Sequence, residues 1–158
     1  MAVSEEEFKA SLGCRATAVS IVTARDGEQI HGMTVSDFTS VSLRPPLVLV
    51  CADKASITQE VIEAGGNFAA HVLGSDQEAL SNKFASKKEE HRRFEGIDWE
   101  PGASGAPILP GVIAVLDCHV AAAHDAGDHV IYVGEVLASR VAEGEPLVYC
   151  GGAYRSLS

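Results

Sequence analysis

Runs of alternating apolar and polar positions, separated by Gly, Pro and Asp turn signals, dominate this chain. Ser4-Glu5-Glu6-Glu7 reads as a capping box, which predicts a short helix closing near Gly13. Ala16 to Ala24 alternates and is rich in β-branched residues. Arg25-Asp26-Gly27-Glu28 then predicts a hairpin into Gln29 to Thr34. Between Gly32 and Ala52, the small hydroxyl residues Thr34, Ser36, Thr39, Ser40 and Ser42 alternate with apolar ones. Pro45-Pro46 breaks that pattern, and a strand over Leu47 to Ala52 follows. A helix is predicted over Ser56 to Ala64, capped by Ser56 and closed by Gly65-Gly66, then a strand over Asn67 to Leu73. Ser75 or Asp76 should cap a helix running to about Ala85, and the charged stretch Ser86 to Phe94 reads as helical. Asp98 to Pro110 is loop. Val112 to Ala123 and His129 to Val141 are long strands joined through Asp125 to Asp128, and Pro146 to Tyr149 is a last short one. Many strands with a few inserted helices predict a mainly β fold, a closed antiparallel barrel.

Length and charge narrow the picture. A chain of 158 residues predicts one domain with a substantial core. A net charge of −10 argues against a duplex-binding surface, which needs clustered cations. Cys14, Cys51, Cys118 and Cys150 are widely spaced, without zinc or redox-disulfide spacing. Cys51 and Cys118 lie in apolar runs and read as buried thiols. The acidic start lacks the pattern of a signal peptide, and no apolar run has membrane-spanning length. These features predict a cytoplasmic protein.

Four places offer chemistry. The row of hydroxyls from Thr34 to Ser42 supplies short donors and acceptors suited to a flat ligand, or simply the exposed face of a half-buried strand. Asp53 to Thr58 sits where a strand meets a helix start. Ser56, Thr58, Lys54 and free N–H groups there suit a phosphate, although Ser56 serves equally as a helix cap. Gly127-Asp128-His129 opens a strand, and Asp128 would fix the imidazole tautomer or favour its cation. Lys83, Lys87, Lys88, Arg92 and Arg93 gather five of the twelve cations, as a solvated face or an anion dock. His119, His124 and His129 recur every five residues, a spacing that alternates strand faces and argues against a metal triad. No dinucleotide glycine fingerprint, phosphate-binding loop or esterase motif is present.

The order of motifs resembles a known family. Thr34-Val35-Ser36, Phe38-Thr39-Ser40-Val41-Ser42-Leu43, Pro45-Pro46-Leu47-Val48, Gly66-Asn67-Phe68, Leu80-Ser81, Phe84-Ala85, Arg93-Phe94, Gly127-Asp128-His129 and Pro146-Leu147-Val148-Tyr149 are similar to the flavin reductase-like group of FMN-binding split β-barrels. The resemblance implies an antiparallel split β-barrel and hydride transfer from NADH or NADPH to FMN or FAD. It also implies a homodimer and a partner flavin-dependent monooxygenase. Carried over residue by residue, it implies flavin contacts from Thr34, Val35, Ser36, Ser40, Val41 and Ser42, and from Cys51, Asp53, Ser56 and Thr58. It adds Lys83, Phe84 and Arg93 near the phosphate, then Gly127, Asp128, Tyr149 and Tyr154. His129 is the candidate acting in turnover, at the nicotinamide. His71 stands where the family often has Asn, and Asp37 where it has Ala or Ser. A pyridoxamine-phosphate-oxidase-type enzyme and a flavin- or haem-binding module without turnover are the alternatives on a similar barrel.

Overall fold

The structure is a computed structural model that describes residues 2–36 and 38–158. In chain order, α1 (Glu5–Gly13) precedes β1 (Thr17–Ala18), β2 (Ser20–Asp26), β3 (Gln29–Val35), β4 (Phe38–Leu43) and β5 (Pro46–Asp53). Next come α2 (Ile57–Gly65), β6 (Asn67–Val72), α3 (Glu78–Ala85), β7 (Glu100–Pro101) and β8 (Pro107–Ile108). The chain finishes with β9 (Ala114–Ala126), β10 (His129–Val141), β11 (Val148–Cys150) and β12 (Ala153–Arg155).

Local signals act as their chemistry dictates. Ser4 Oγ accepts from the Glu7 N–H at 3.2 Å while the Ser4 N–H donates to Glu7 Oε2 at 2.9 Å, which completes the capping box of α1. Gly27, at φ +60°, takes the first loop position of the β2–β3 hairpin, and Gly127, at φ +64°, does the same between β9 and β10. Left-handed backbone at these sites suits glycine because it lacks a Cβ. α2 ends on Gly66 in the left-handed region.

A seven-stranded antiparallel sheet runs in the order β3-β2-β6-β9-β10-β5-β4. Its two edge strands, β3 and β4, are separated by only residues 36 and 37 in sequence. A sheet whose edges are consecutive in the chain must curl back on itself. The curl encloses a core of Val22, Val48, Val50, Phe68, Cys118 and Tyr132. β3 and β4 do not pair, so the barrel is split at that seam rather than closed as the strand pattern alone suggested. A second core, with Ile21, Leu73, Phe84, Leu109 and Leu147, packs α3 and the segment after it on the outer face of β2, β6 and β9. Strand β2 is therefore buried on both faces from Ser20 to Ala24.

Several expectations change. The hydroxyl run is not one strand: Thr34 ends β3 and Ser40 and Ser42 belong to β4. α3 is capped by neither Ser75 nor Asp76; Gln77 holds the N-cap position, and its side chain accepts from Gly74 N–H at 2.9 Å. Residues 86–94 form successive turns instead of a helix. Side chains claim the carbonyls that a helix would need: Arg93 takes Ser86 O at 3.1 Å, His31 takes Glu90 O at 2.8 Å and Lys83 takes Glu95 O at 2.5 Å. The loop over 98–110 holds the short β7–β8 pair, and β12 follows β11 as an additional strand. Cys118 is buried as expected, whereas Cys51 is only half-buried.

His71 is fully buried, with Nδ1 at 3.0 Å from Ile21 O and Nε2 accepting the Leu109 N–H at 3.1 Å. That pattern fixes the neutral Nδ1–H tautomer, and burial pushes the imidazole down to about 4. This residue bonds backbone on both sides.

Candidate functional site

Two neighbouring features lie at the barrel seam. The first is a rim where the β5–α2 turn meets the β9–β10 hairpin. Asp53, at the end of β5, faces His129, at the start of β10, in register. The Lys54 N–H donates to Asp128 O at 3.0 Å, and its Nζ donates to Gly127 O at 2.8 Å while pairing with Asp125. His129 Nδ1 sits 2.6 Å from Asp128 Oδ1, and this imidazole donor holds the Asp128 carboxyl below the usual carboxylate range. The chain thus brings Asp53, Lys54, Gly127, Asp128 and His129 together from segments far apart in sequence.

The hydroxyls proposed for a phosphate at this rim are committed elsewhere. Ser56 Oγ accepts from the Gln59 N–H at 3.1 Å and donates to Asp53 O at 2.7 Å, so it is a helix cap. Thr58 is fully buried and donates to His31 Nδ1 at 2.7 Å, whose Nε2–H is held by Glu90 O. His31 is buried too, and desolvation lowers its pKa, so it stays neutral. The phosphate-binding capacity that remains is the backbone at the first turn of α2: among the described residues, the N–H of half-buried Ile57 has no acceptor, whereas Thr58 is fully buried.

The second feature is a cleft of about 450 Å³ beyond the end of β3. Thr34, Val35 and Ser36 form one wall, α3 contributes Ser81, Asn82 and Ala85, and the β11–β12 turn contributes Tyr149 and Tyr154. Thr34 Oγ1 donates to Ser81 O at 2.6 Å, which pins the end of β3 to α3. The rings of Tyr149 and Tyr154 meet edge to face at 5.4 Å. The opening therefore has flat aromatic and small polar walls, and its size is within the range of ligand sites. Flat walls of this kind, with exposed Asn82 beside them, fit a planar ring such as that of a flavin. β4 begins at Phe38, opposite Val50 on β5, three positions before Asp53.

Other predicted contacts fall elsewhere. Phe84 is fully buried in the second core, edge-on to Phe94 at 5.2 Å, and offers a cofactor no surface. A Cβ at Gly32 would come within 2.9 Å of its ring, so β3 needs glycine there. Arg93 is buried, donating to Gly32 O at 2.8 Å and to Ser86 O, and desolvation lowers its pKa. Lys83 is held by Glu95 O. These cations brace the turns of residues 86–95 instead of facing the cleft. Ser40, Val41 and Ser42 lie along edge strand β4, where Val41 stands at a bulge. Cys51 lies on the outer face of β5, opposite Ile131. Asp37 lies outside the described residues. Ser81 and Asn82 were missed as cleft residues. The Leu80-Ser81 motif carried Ser81 in the sequence, Asn82 belongs to no motif, and only folding sets the two against the C-terminal tyrosines.

A split antiparallel barrel with a ring-lined cleft and a phosphate-competent rim at its seam defines a cofactor-binding barrel. Residues 12–158 match the flavin reductase like domain, and the chain belongs to that family. It is 44% identical over 155 residues to FMN reductase (NADH) SmoA of Agrobacterium fabrum, covering 98% of this chain and 87% of that one. It is 36% identical over 158 residues to the flavin-dependent monooxygenase reductase subunit HsaB of Mycobacterium tuberculosis, covering 98% and 83%. Among solved structures, the Streptomyces globisporus NADH:FAD oxidoreductase SgcE6, in complex with NAD and FAD fragments, superimposes with a TM-score of 0.90 at 34% identity. That match covers 100% of this chain and 97% of that one.

Proposed function

We propose that this chain is an NADH-dependent flavin reductase, acting as one domain, that supplies reduced flavin to a partner monooxygenase. The observation that carries the reading is the cleft at the end of β3. There Thr34, Val35 and Ser36 meet Tyr149 and Tyr154, residues from both ends of the motif series. Bound FMN or FAD supplies the electron-accepting ring, which takes hydride from the nicotinamide. The walls of the cleft hold that ring flat and keep water from it. The free N–H of Ile57 at the start of α2 holds the flavin phosphate, helped by the dipole of that helix. His129, oriented by Asp128, holds the nicotinamide at the rim. Mixing the protein with FMN and NADH and following NADH absorbance tests the reading. Rapid NADH loss is expected; a bound but unreactive flavin would make the protein a binding module instead.

The same reading includes a homodimer. On the outer face of β5 and β10, Leu49, Cys51, Ile131 and Val133 are half-buried and belong to neither core. Among the described residues, no helix packs over this face, and half-buried Leu47 continues it along β5. A contiguous apolar sheet face of this kind marks an association surface. The absence of a disulfide among the described cysteines and the use of NADH support a cytoplasmic setting. No helix among the described residues is long and apolar enough to cross a membrane.

A further inference from the structure

Tyr154 Oη meets Ser81 Oγ at 2.7 Å and donates to Asn82 Oδ1 at 2.9 Å. A phenol has one proton, so with that proton on Asn82 the Ser81 hydroxyl is the donor to Tyr154. Tyr154 therefore offers the cleft its ring and not its hydroxyl. The Thr34 hydroxyl is committed in the same way, to Ser81 O. Asn82 differs. Its oxygen accepts from Tyr154, which leaves the amino end of the carboxamide as the unpaired one. Its amino group, with two donors, has no partner among the described residues, and Asn82 is exposed and lines the cleft.

We propose that Asn82 is a specificity residue for the flavin ring. Its amino group donates to an acceptor on the pyrimidine edge of the isoalloxazine, and Tyr154 is the positioning residue that sets which end of the carboxamide is presented. The inference rests on the reading that this cleft holds the flavin. An isoalloxazine edge carries two carbonyl oxygens and ring nitrogens, so an oriented N–H donor recognises it, while the ring of Tyr154 provides a flat wall.

Equilibrium binding of riboflavin and of FMN to the flavin-free protein, read by quenching of flavin fluorescence, tests it. Asn82→Ala, on an exposed helix face, should weaken both ligands by the same factor, about two- to tenfold for one neutral hydrogen bond. Tyr154→Phe keeps the ring and frees the carboxamide, so it should weaken both ligands in the same direction, by less. The KM for NADH should stay unchanged in both variants. Unchanged flavin affinity in Asn82→Ala, a loss confined to FMN, or a change only in the KM for NADH would overturn the proposal. Ser36→Trp, which fills the cleft, separates the two ideas. If it leaves flavin binding intact, the cleft is not the flavin site; if it abolishes binding while Asn82→Ala is neutral, only the role of Asn82 falls.

Discussion

Acid should weaken this fold through His71, and replacing that residue should blunt the effect. In the folded chain the imidazole is neutral, fully buried, and bonded to Ile21 O and to the Leu109 N–H. Its pKa is pushed down to about 4 by burial, against about 6.5 for an unfolded histidine. Between those values the unfolded chain binds the extra proton, so stability rises with pH across this window. The contribution is fully present above about pH 6.5 and is lost as pH falls toward about 4. Linkage with these two values gives a loss of about 2 kcal/mol on going from pH 7 to pH 5. For a chain of this length that lowers the melting temperature by roughly 4–8 °C. His71→Asn retains an amide able to donate to Ile21 O but loses the acceptor for Leu109. At neutral pH it should be less stable by about 1–3 kcal/mol, the cost of one buried unpaired group. Urea unfolding of both proteins at pH 7, 6 and 5 provides the measurement. The gap between wild type and variant should shrink by about 2 kcal/mol by pH 5, because carboxylate effects are common to both. A gap that stays constant across this range would refute a neutral, acid-sensitive His71.

Ser56→Ala should lower stability by about 1 kcal/mol through loss of the helix cap, while the preference for FMN over riboflavin persists. Collapse of that preference in comparative binding would return the phosphate contact to the hydroxyl. His129→Ala should raise the KM for NADH and leave flavin affinity nearly unchanged; stopped-flow flavin reduction with the wild-type NADH dependence would make His129 structural. Leu49→Glu, on the uncovered outer face, should shift the protein from dimer to monomer in sedimentation. A wild-type protein that already sediments as a monomer at micromolar concentration would rule out the dimer.

Local chemistry was legible in the residues. The capping box of α1, the Gly27 and Gly127 turns, the Ser56 cap with its Gly66 stop and the long β9–β10 hairpin all follow from rules that act within a few positions. The order of motifs was enough to suggest the family. What failed did so where distant groups compete for backbone. Residues 86–94 have helical composition, yet His31, Lys83 and Arg93 take the carbonyls of Glu90, Glu95 and Ser86, and no local pattern announces those partners. Thr58 reads as a surface ligand because it follows a strand end, but burial beside His31 turns its hydroxyl inward. Phe84 carries the family motif and is core.

The sequence by itself determined the long strands, the two hairpin turns, the caps of α1 and α2 and the family, because periodicity, turn geometry and motif order are properties of neighbouring residues. Only the tertiary structure decided where the sheet splits, because that depends on two edge strands meeting after a full circuit of the barrel. It alone decided which polar groups remain free at the seam. Ser56, Thr58, Thr34 and Tyr154 are each saturated by a partner from another element, while the Asn82 amino group and the Ile57 N–H of α2 are not. A side chain becomes available to a ligand by what the fold leaves unpaired, and that accounting closes only when every distant partner is in place.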